Sequence, residues 1–145
     1  MSNFPNILSL IPQRPNFVMV DELVNVTDDT CSTKFTIRAD NVLLDENSFS
    51  EGGLVENIAQ TAAAHAGFVA LNKNEPVKTG FIGAVTNLKI TELPSNGSLL
   101  ETNIKIENQI FDVTLISGQV SCEGRLVASC EMKIFLLPDN KITSK

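Results

Sequence analysis

Apolar and polar residues alternate along most of this chain with the period of two that marks a half-buried strand, and one stretch departs from that rule. From Phe17 to Val26 the residues Val18, Val20, Val24 and Val26 share one parity, and from Cys31 to Ile37 the positions Cys31, Thr33, Phe35 and Ile37 do the same. Asp28-Asp29-Thr30 joins the two as a hairpin. Phe81 to Ile90 reads as a third strand, in which Gly83 marks a bulge or the close approach of another backbone or a ligand. After the turn Pro94-Ser95-Asn96-Gly97, Leu100, Thr102, Ile104, Ile106 and Ile110 fall on one face of a strand, with Glu101, Asn103, Lys105, Glu107 and Gln109 on the other. The next strand is apolar at Phe111, Val113 and Leu115 and then at Val120 and Cys122, a change of parity that predicts a bulge near Ser117-Gly118. Glu123-Gly124 makes the last hairpin turn, and Leu126, Ala128, Cys130, Met132, Ile134 and Leu136 alternate until Pro138. The tail Asp139 to Lys145 is expected to fray.

The departure is Glu51 to Leu71, EGGLVENIAQTAAAHAGFVAL, where Leu54, Val55, Ile58, Ala59, Ala62, Ala66 and Val69 recur at the three- and four-residue spacing of a helix face. Its alanines let a helix lie close against a sheet. Upstream, Phe4 to Ile11 is a short apolar piece that Pro12 and Pro15 stop, expected to pack as a lid or a first turn, and Asp40 to Glu51 is polar and turn-like. Asn72 to Pro76 ends the helix. Two strands, one long helix and four mostly antiparallel strands predict an α+β fold, one central helix wrapped by a curved antiparallel sheet, as a single domain over residues 1–145.

Composition narrows the function. A chain of 145 residues with a net charge of −6 and no cluster of Lys or Arg argues against a nucleic-acid partner. The helix is interrupted by Glu56, Asn57, Gln60 and His65, so it is not a membrane span, and the prolines of the first twenty residues break the apolar run a signal peptide needs. Cys31, Cys122 and Cys130 form no CxxC pattern and read as reduced core residues of a cytoplasmic protein. No metal or cofactor is expected.

Glu56 is the leading candidate for chemistry. It falls about one turn inside the helix, where the positive end of the dipole favours a carboxylate by roughly 0.3–1 kcal/mol, and an acid on an otherwise apolar face calls for a task or a partner. Gln60, four residues on, shares its face and is placed to hold the carboxylate. The amides of Gly52 and Gly53 at the helix start are either a plain turn or an oxyanion site for a thioester carbonyl. His65, the one histidine, lies nine residues from Glu56, half a turn round and roughly 13 Å along the axis, so the two are expected not to pair within one chain. Arg14 and Asn16 read as turn residues.

Ile11-Pro12-Gln13-Arg14-Pro15-Asn16-Phe17-Val18-Met19-Val20-Asp21 resembles the opening Leu-Pro-His-Arg-x-Pro-Phe-x-x-x-Asp signature of the β-hydroxyacyl-acyl-carrier-protein dehydratases, with Gln13 in place of the usual His. Glu56-Asn57-Ile58-Ala59-Gln60 is similar to the Glu-x-x-Ala-Gln of their central helix, and Phe81-Ile82-Gly83 to the Gly-containing strand after it. The resemblance covers most of residues 8–137 and implies a hot-dog fold, a homodimer, and acyl-thioester tunnels at the subunit interface. It also implies a catalytic His before the helix, but Asp40 to Glu51 contains neither His nor Pro, and Gly52-Gly53 stands where the family has Pro-Gly. The resemblance therefore implies a divergent dehydratase-like protein acting on or binding 3-hydroxyacyl groups on acyl carrier protein or coenzyme A, with Glu56 as acid or base and Gly52, Gly53, Gln60 and Gly83 around the substrate. A hot-dog thioesterase whose helix carboxylate activates water, and a non-catalytic acyl-binding or partner subunit, are the alternatives.

Overall fold

The computed structural model describes residues 4–137, so the tail Asp139 to Lys145 lies outside the described residues. Strands β1 (Glu22–Val26) and β2 (Thr30–Thr36) precede helix α1 (Glu51–Asn72), with the short strands β3 (Leu44–Asp45) and β4 (Ser48–Phe49) between them. Strands β5 (Thr79–Ile90), β6 (Leu99–Ile110), β7 (Val113–Cys122) and β8 (Arg125–Leu137) follow. One six-stranded sheet runs in the order β1-β2-β6-β7-β8-β5, antiparallel at every pairing, and α1 packs on the inward face of β2, β6 and β7. This is the expected α+β arrangement. Among the described residues, no helix is long and apolar enough to cross a membrane.

Local chemistry explains the boundaries. Ser50, in an extended conformation, caps α1 by accepting a hydrogen bond from the Gly53 amide at 3.1 Å, which satisfies one of the free donors of the first turn. Glu123 and Gly124, both at positive φ (54° and 78°), turn β7 into β8 with the twist a two-residue hairpin favours. The N-terminal piece is a single 3-10 turn, Ile7–Ser9, with Asn6 Oδ1 accepting from the Leu8 amide at 2.9 Å. Its exit lies against the helix: a Cβ on Gly67 would stand 1.8 Å from the Leu10 carbonyl oxygen, so only glycine permits this approach.

The alternation misassigned several faces. In β1 the buried residue is Leu23, and Val24 is exposed, because the pairing with β2 shifts register between Leu23 and Asn25. No parity change occurs in β7. Thr114, Ile116, Gly118, Val120 and Cys122 all point inward, and Ser117-Gly118 pairs regularly on both sides. The inward side of Gly118 holds no side chain because Ile58 of the helix fills that space, 2.5 Å from where a Cβ would be. The irregularities lie instead at Glu107 in β6 and Val127 in β8, which turn Ile110 and Leu126 to solvent. The segment Asp40 to Glu51 also holds the β3-β4 hairpin, whose turn places Glu46 at positive φ.

Helix α1 corrects the sequence reading most. Leu54 and Ile58 are fully buried as expected, but so are Asn57, Gln60, Thr61 and His65, whereas Ala59, Ala62, Ala66 and Val69 are only partly covered. A cleft lies on the small-residue side of the helix, bordered by residues of β5, β6, β7 and β8.

All three cysteines are free and buried, as the sequence implied. Burial pushes the Cys31 thiol up to about 12, and burial followed by the charge of Glu131 pushes Cys130 up to about 11. These folded-state values lie above the ordinary 9.0, so no stability is lost below pH 9. Between about pH 9 and 12 the unfolded chain sheds thiol protons that the folded chain keeps, and stability falls. A thiol reagent at pH 8 is therefore expected to label the protein only after denaturant is added. Rapid labelling of native protein would contradict this burial.

Candidate active site

A ladder of buried polar groups fastens α1 to its surroundings. Asn57 Nδ2 donates to the Met19 carbonyl at 2.7 Å, and Asn57 Oδ1 accepts from Thr102 Oγ1 at 2.5 Å. Gln60 Oε1 accepts from the Met19 amide at 2.6 Å, and Gln60 Nε2 donates to the Phe17 carbonyl at 3.0 Å. Thr61 Oγ1 meets Thr33 Oγ1 at 2.8 Å. Two helix side chains thus take both backbone groups of Met19, and so locate the segment after Gln13 against the turn that carries Glu56. Each bond also removes a buried polar group that would otherwise cost roughly 1–3 kcal/mol.

Gln60 has a second role. Its Nε2 also donates to Glu56 Oε2 at 3.0 Å, the i to i+4 contact expected from the sequence. Among the described residues Glu56 Oε1 has no partner, and Glu56 lines the cleft. The cleft has a volume of about 460 Å³, within the range of roughly 300–1,000 Å³ usual for small-molecule sites. One wall is the alanine stripe of α1, continuing through Ala63 and Ala70. The other is Ile106, Ile116, Ile134 and Leu136 of the sheet. From Glu56 to Lys73 it follows the helix for about 25 Å, with Lys73 and Lys78 at the far end and Pro12 and Gln13 also in the wall. The cleft is apolar along its middle, and three carboxyl groups, those of Asp28, Glu56 and Glu75, stand in its lining.

Of the predicted site residues, only Glu56 lines this cleft. Gln60 stands behind it as its hydrogen-bond donor. Gly52 is exposed on the first helical turn, and the Gly53 amide is already used by Ser50 rather than free for an oxyanion. Gly53 is small because Phe49 lies over it, 2.5 Å from a would-be Cβ, and Gly83 because Phe135 does the same at 2.4 Å. Gly83 coincides with a register shift between β5 and β8, the bulge its sequence context implied. Arg14 and Asn16 are exposed, and Arg14 accepts the Phe17 amide in a turn.

His65 does not pair with Glu56. Its Nε2 lies 2.9 Å from the Thr27 carbonyl, in the β1-β2 hairpin. It nonetheless borders the same cleft, at the opposite edge of the small-residue stripe, which the helical wheel alone did not indicate. The sign available in the sequence was the stripe itself, since residues flanking it on both sides border whatever it faces. Among the described residues no group of three His, Cys, Asp or Glu side chains is arranged to hold a metal ion.

A family model described as ApeP-like, ApeP dehydratase, matches residues 5–144. A search of curated proteins finds no sequence match. Among solved structures, the chain is similar to the dehydratase heterocomplex ApeI:P from Xenorhabdus doucetiae, with a TM-score of 0.84, 16% identity, and 98% of this chain and 97% of that one covered. It is also similar to the E. coli PaaI protein from the phenylacetic acid degradation operon, with a TM-score of 0.63, 14% identity and coverages of 79% and 81%. A hypothetical thioesterase from Streptococcus pneumoniae with coenzyme A gives a TM-score of 0.63 at 12% identity, with coverages of 80% and 84%. These structural likenesses show the hot-dog fold.

Proposed function

This chain belongs to the ApeP-like dehydratase family, and from that membership we propose that it takes 3-hydroxyacyl thioesters, carried on acyl carrier protein or coenzyme A, into the cleft beside Glu56. The observation that carries this reading is the Glu56 carboxyl group, fixed by Gln60 through Oε2 and open at Oε1, on the wall of an apolar slot. Dehydration breaks a C2–H bond and the C3–O bond and forms the C2–C3 double bond, with the hydroxyl leaving as water. A carboxyl group within reach of both atoms takes the C2 proton at one oxygen and delivers a proton to the departing hydroxyl, so the protons balance. Lys73 and Lys78, with Glu75 between them in sequence, line the other end of the slot, where their ammonium groups are available to the phosphate of a carrier arm.

The second reading is thioester hydrolysis, favoured by the lack of any histidine bonded to Glu56. There Glu56 takes a proton from water as the water attacks the carbonyl, and an acid and a thiol are released. Supplying 3-hydroxyacyl, enoyl and plain acyl thioesters and following enoyl absorbance and free thiol separately distinguishes the two. Enoyl formation without thiol release is expected, and thiol release from every thioester would replace the first reading by the second.

The working unit in this proposal is a homodimer in the cytoplasm, a placement supported by the free cysteines. Among the described residues, strand β5 ends the sheet with one edge unpaired over Thr79–Ile90, and it carries the exposed Phe81 and Leu88. A long open edge of this kind is a template for pairing with another chain. Light scattering at micromolar concentration is expected to give twice the 15.7 kDa of one chain. A monomer would overturn the homodimer and favour pairing with a second hot-dog subunit.

A further inference from the structure

Among the described residues a single buried side-chain polar atom has no hydrogen-bond partner, Gln13 Oε1, and Gln13 lines the same cleft as Glu56. Buried polar groups are nearly always paired, so an orphan in the wall of a cleft marks a place where something else supplies the bond. The position is not a loose loop. Arg14 Nη1 donates to the carbonyls of Ile11 and Gln13 at 2.9 and 2.7 Å, the Phe17 amide donates to Arg14, and Gln60, the residue that holds Glu56, takes the Phe17 carbonyl and the Met19 amide. The chain that carries Gln13 is thereby tied to the turn of α1 that carries Glu56. Its neighbours Arg14, Pro15 and Asn16 are exposed, whereas Gln13 is half-buried with its Oε1 covered.

The chemistry of the missing partner follows from what the slot accepts. An acyl chain has no polar atom along its methylenes, and a thioester carbonyl only accepts hydrogen bonds. A hydroxyl both donates and accepts, so it meets either orientation of a side-chain amide. We propose that Gln13 recognises the 3-hydroxyl group of the acyl chain and so selects hydroxyacyl thioesters over saturated and enoyl ones in the cleft beside Glu56. This rests on the acyl-thioester reading of that cleft and adds a residue that distinguishes substrate from product. A site that hydrogen-bonds a hydroxyl discriminates strongly against the analogue lacking it, because the site's own polar group is then left unpaired.

The test is calorimetric titration of the full chain carrying Glu56→Gln, which keeps ligands unreacted, with 3-hydroxyacyl, saturated acyl and trans-2-enoyl coenzyme A thioesters of one chain length. The Gln13 protein is expected to bind the hydroxyacyl thioester about 10-fold or more tightly than the other two. Gln13→Met, which keeps length and removes both polar atoms, is expected to abolish that preference by weakening the hydroxyacyl thioester alone. Gln13→Asn, which withdraws the amide by one methylene, gives the same result if the methionine variant fails to fold. Equal weakening of all three ligands would show that Gln13 reads the carrier arm, and unchanged affinities would show that it reads nothing. Either result overturns the assignment while leaving the acyl-thioester reading intact. Failure of every thioester to bind the Gln13 protein would instead remove that reading, and the assignment with it.

Discussion

Replacing Glu56 by Gln is expected to lower turnover of an accepted 3-hydroxyacyl thioester by about 10²- to 10⁴-fold, the usual loss when a positioned acid–base group is removed, while the melting temperature changes little. The structure supports the second half of that statement. Glu56 is half-buried, and among the described residues its side chain accepts one hydrogen bond, from Gln60. A glutamine has the same length, and its side-chain oxygen still accepts that bond. Only the titratable proton and the charge are lost. The control is Glu22→Gln, an exposed carboxylate on β1 outside the lining of the Glu56 cleft. His65→Ala does not serve, because His65 borders the cleft and bonds the β1-β2 hairpin. Steady-state kinetics beside a thermal melt decide the matter. Unchanged turnover with a loss of about 1–3 kcal/mol would make Glu56 a structural carboxylate.

Gly67→Ala is expected to give the largest loss of stability from a single methyl group. The added Cβ would lie 1.8 Å from the Leu10 carbonyl oxygen and 2.7 Å from its carbon. Those are backbone atoms, so no side-chain rotation relieves the overlap, and the N-terminal turn must lift from the helix. Overpacking of this kind costs about 1–3 kcal/mol or more, against a gain of about 1 kcal/mol in helix propensity for Gly to Ala. With the loss at the upper end of its range, the melting temperature is expected to fall by roughly 5–10 °C. Gly52→Ala is the matched control: its Cβ would meet nothing closer than Ser50 Oγ at 3.8 Å, so its melting temperature is expected to hold or rise. Equal behaviour of the two variants would mean that Leu10 is not seated on Gly67 in solution. Displacement of Leu10 and Ile11 also moves Pro12 and Gln13 in the cleft wall, so acyl-thioester affinity is expected to fall with stability in Gly67→Ala.

The candidate site was legible only in part, for reasons that individual residues show. Glu56 and Gln60 could be paired from sequence because i and i+4 side chains meet on any helix, whatever surrounds it. Gly52 and Gly53 looked like open amides because sequence does not show which donor the preceding serine will cap. Gly83 marked a close approach, but the ring it admits belongs to Phe135 and not to a ligand. Gln13 stood out as the departure from a motif, whereas its orphaned oxygen is visible only once the wall around it exists.

By itself the sequence determined the long helix, the six strands of the main sheet and their order, though not the short β3-β4 hairpin, because strand and helix periods are properties of neighbouring residues. It placed α1 within one residue of its observed end and located the Glu123-Gly124 turn of the β7-β8 hairpin. The alternation also found the inward faces of β2 and of most of β6 and β8, whereas only the tertiary structure decided the facing of β1, of β7, of the bulged positions and of α1. The bulges at Glu107 and Val127 shift the facing of Ile110 and Leu126, and they arise from the pairing of strands distant in sequence. On α1 the apolar alanines face the cleft while Asn57, Gln60 and Thr61 go inward, because buried backbone at Phe17 and Met19, and hydroxyls at Thr33 and Thr102, supply their partners. A polar residue can be buried when its hydrogen bonds are met there, and those partners are set by how the chain folds back on itself, which no local pattern encodes.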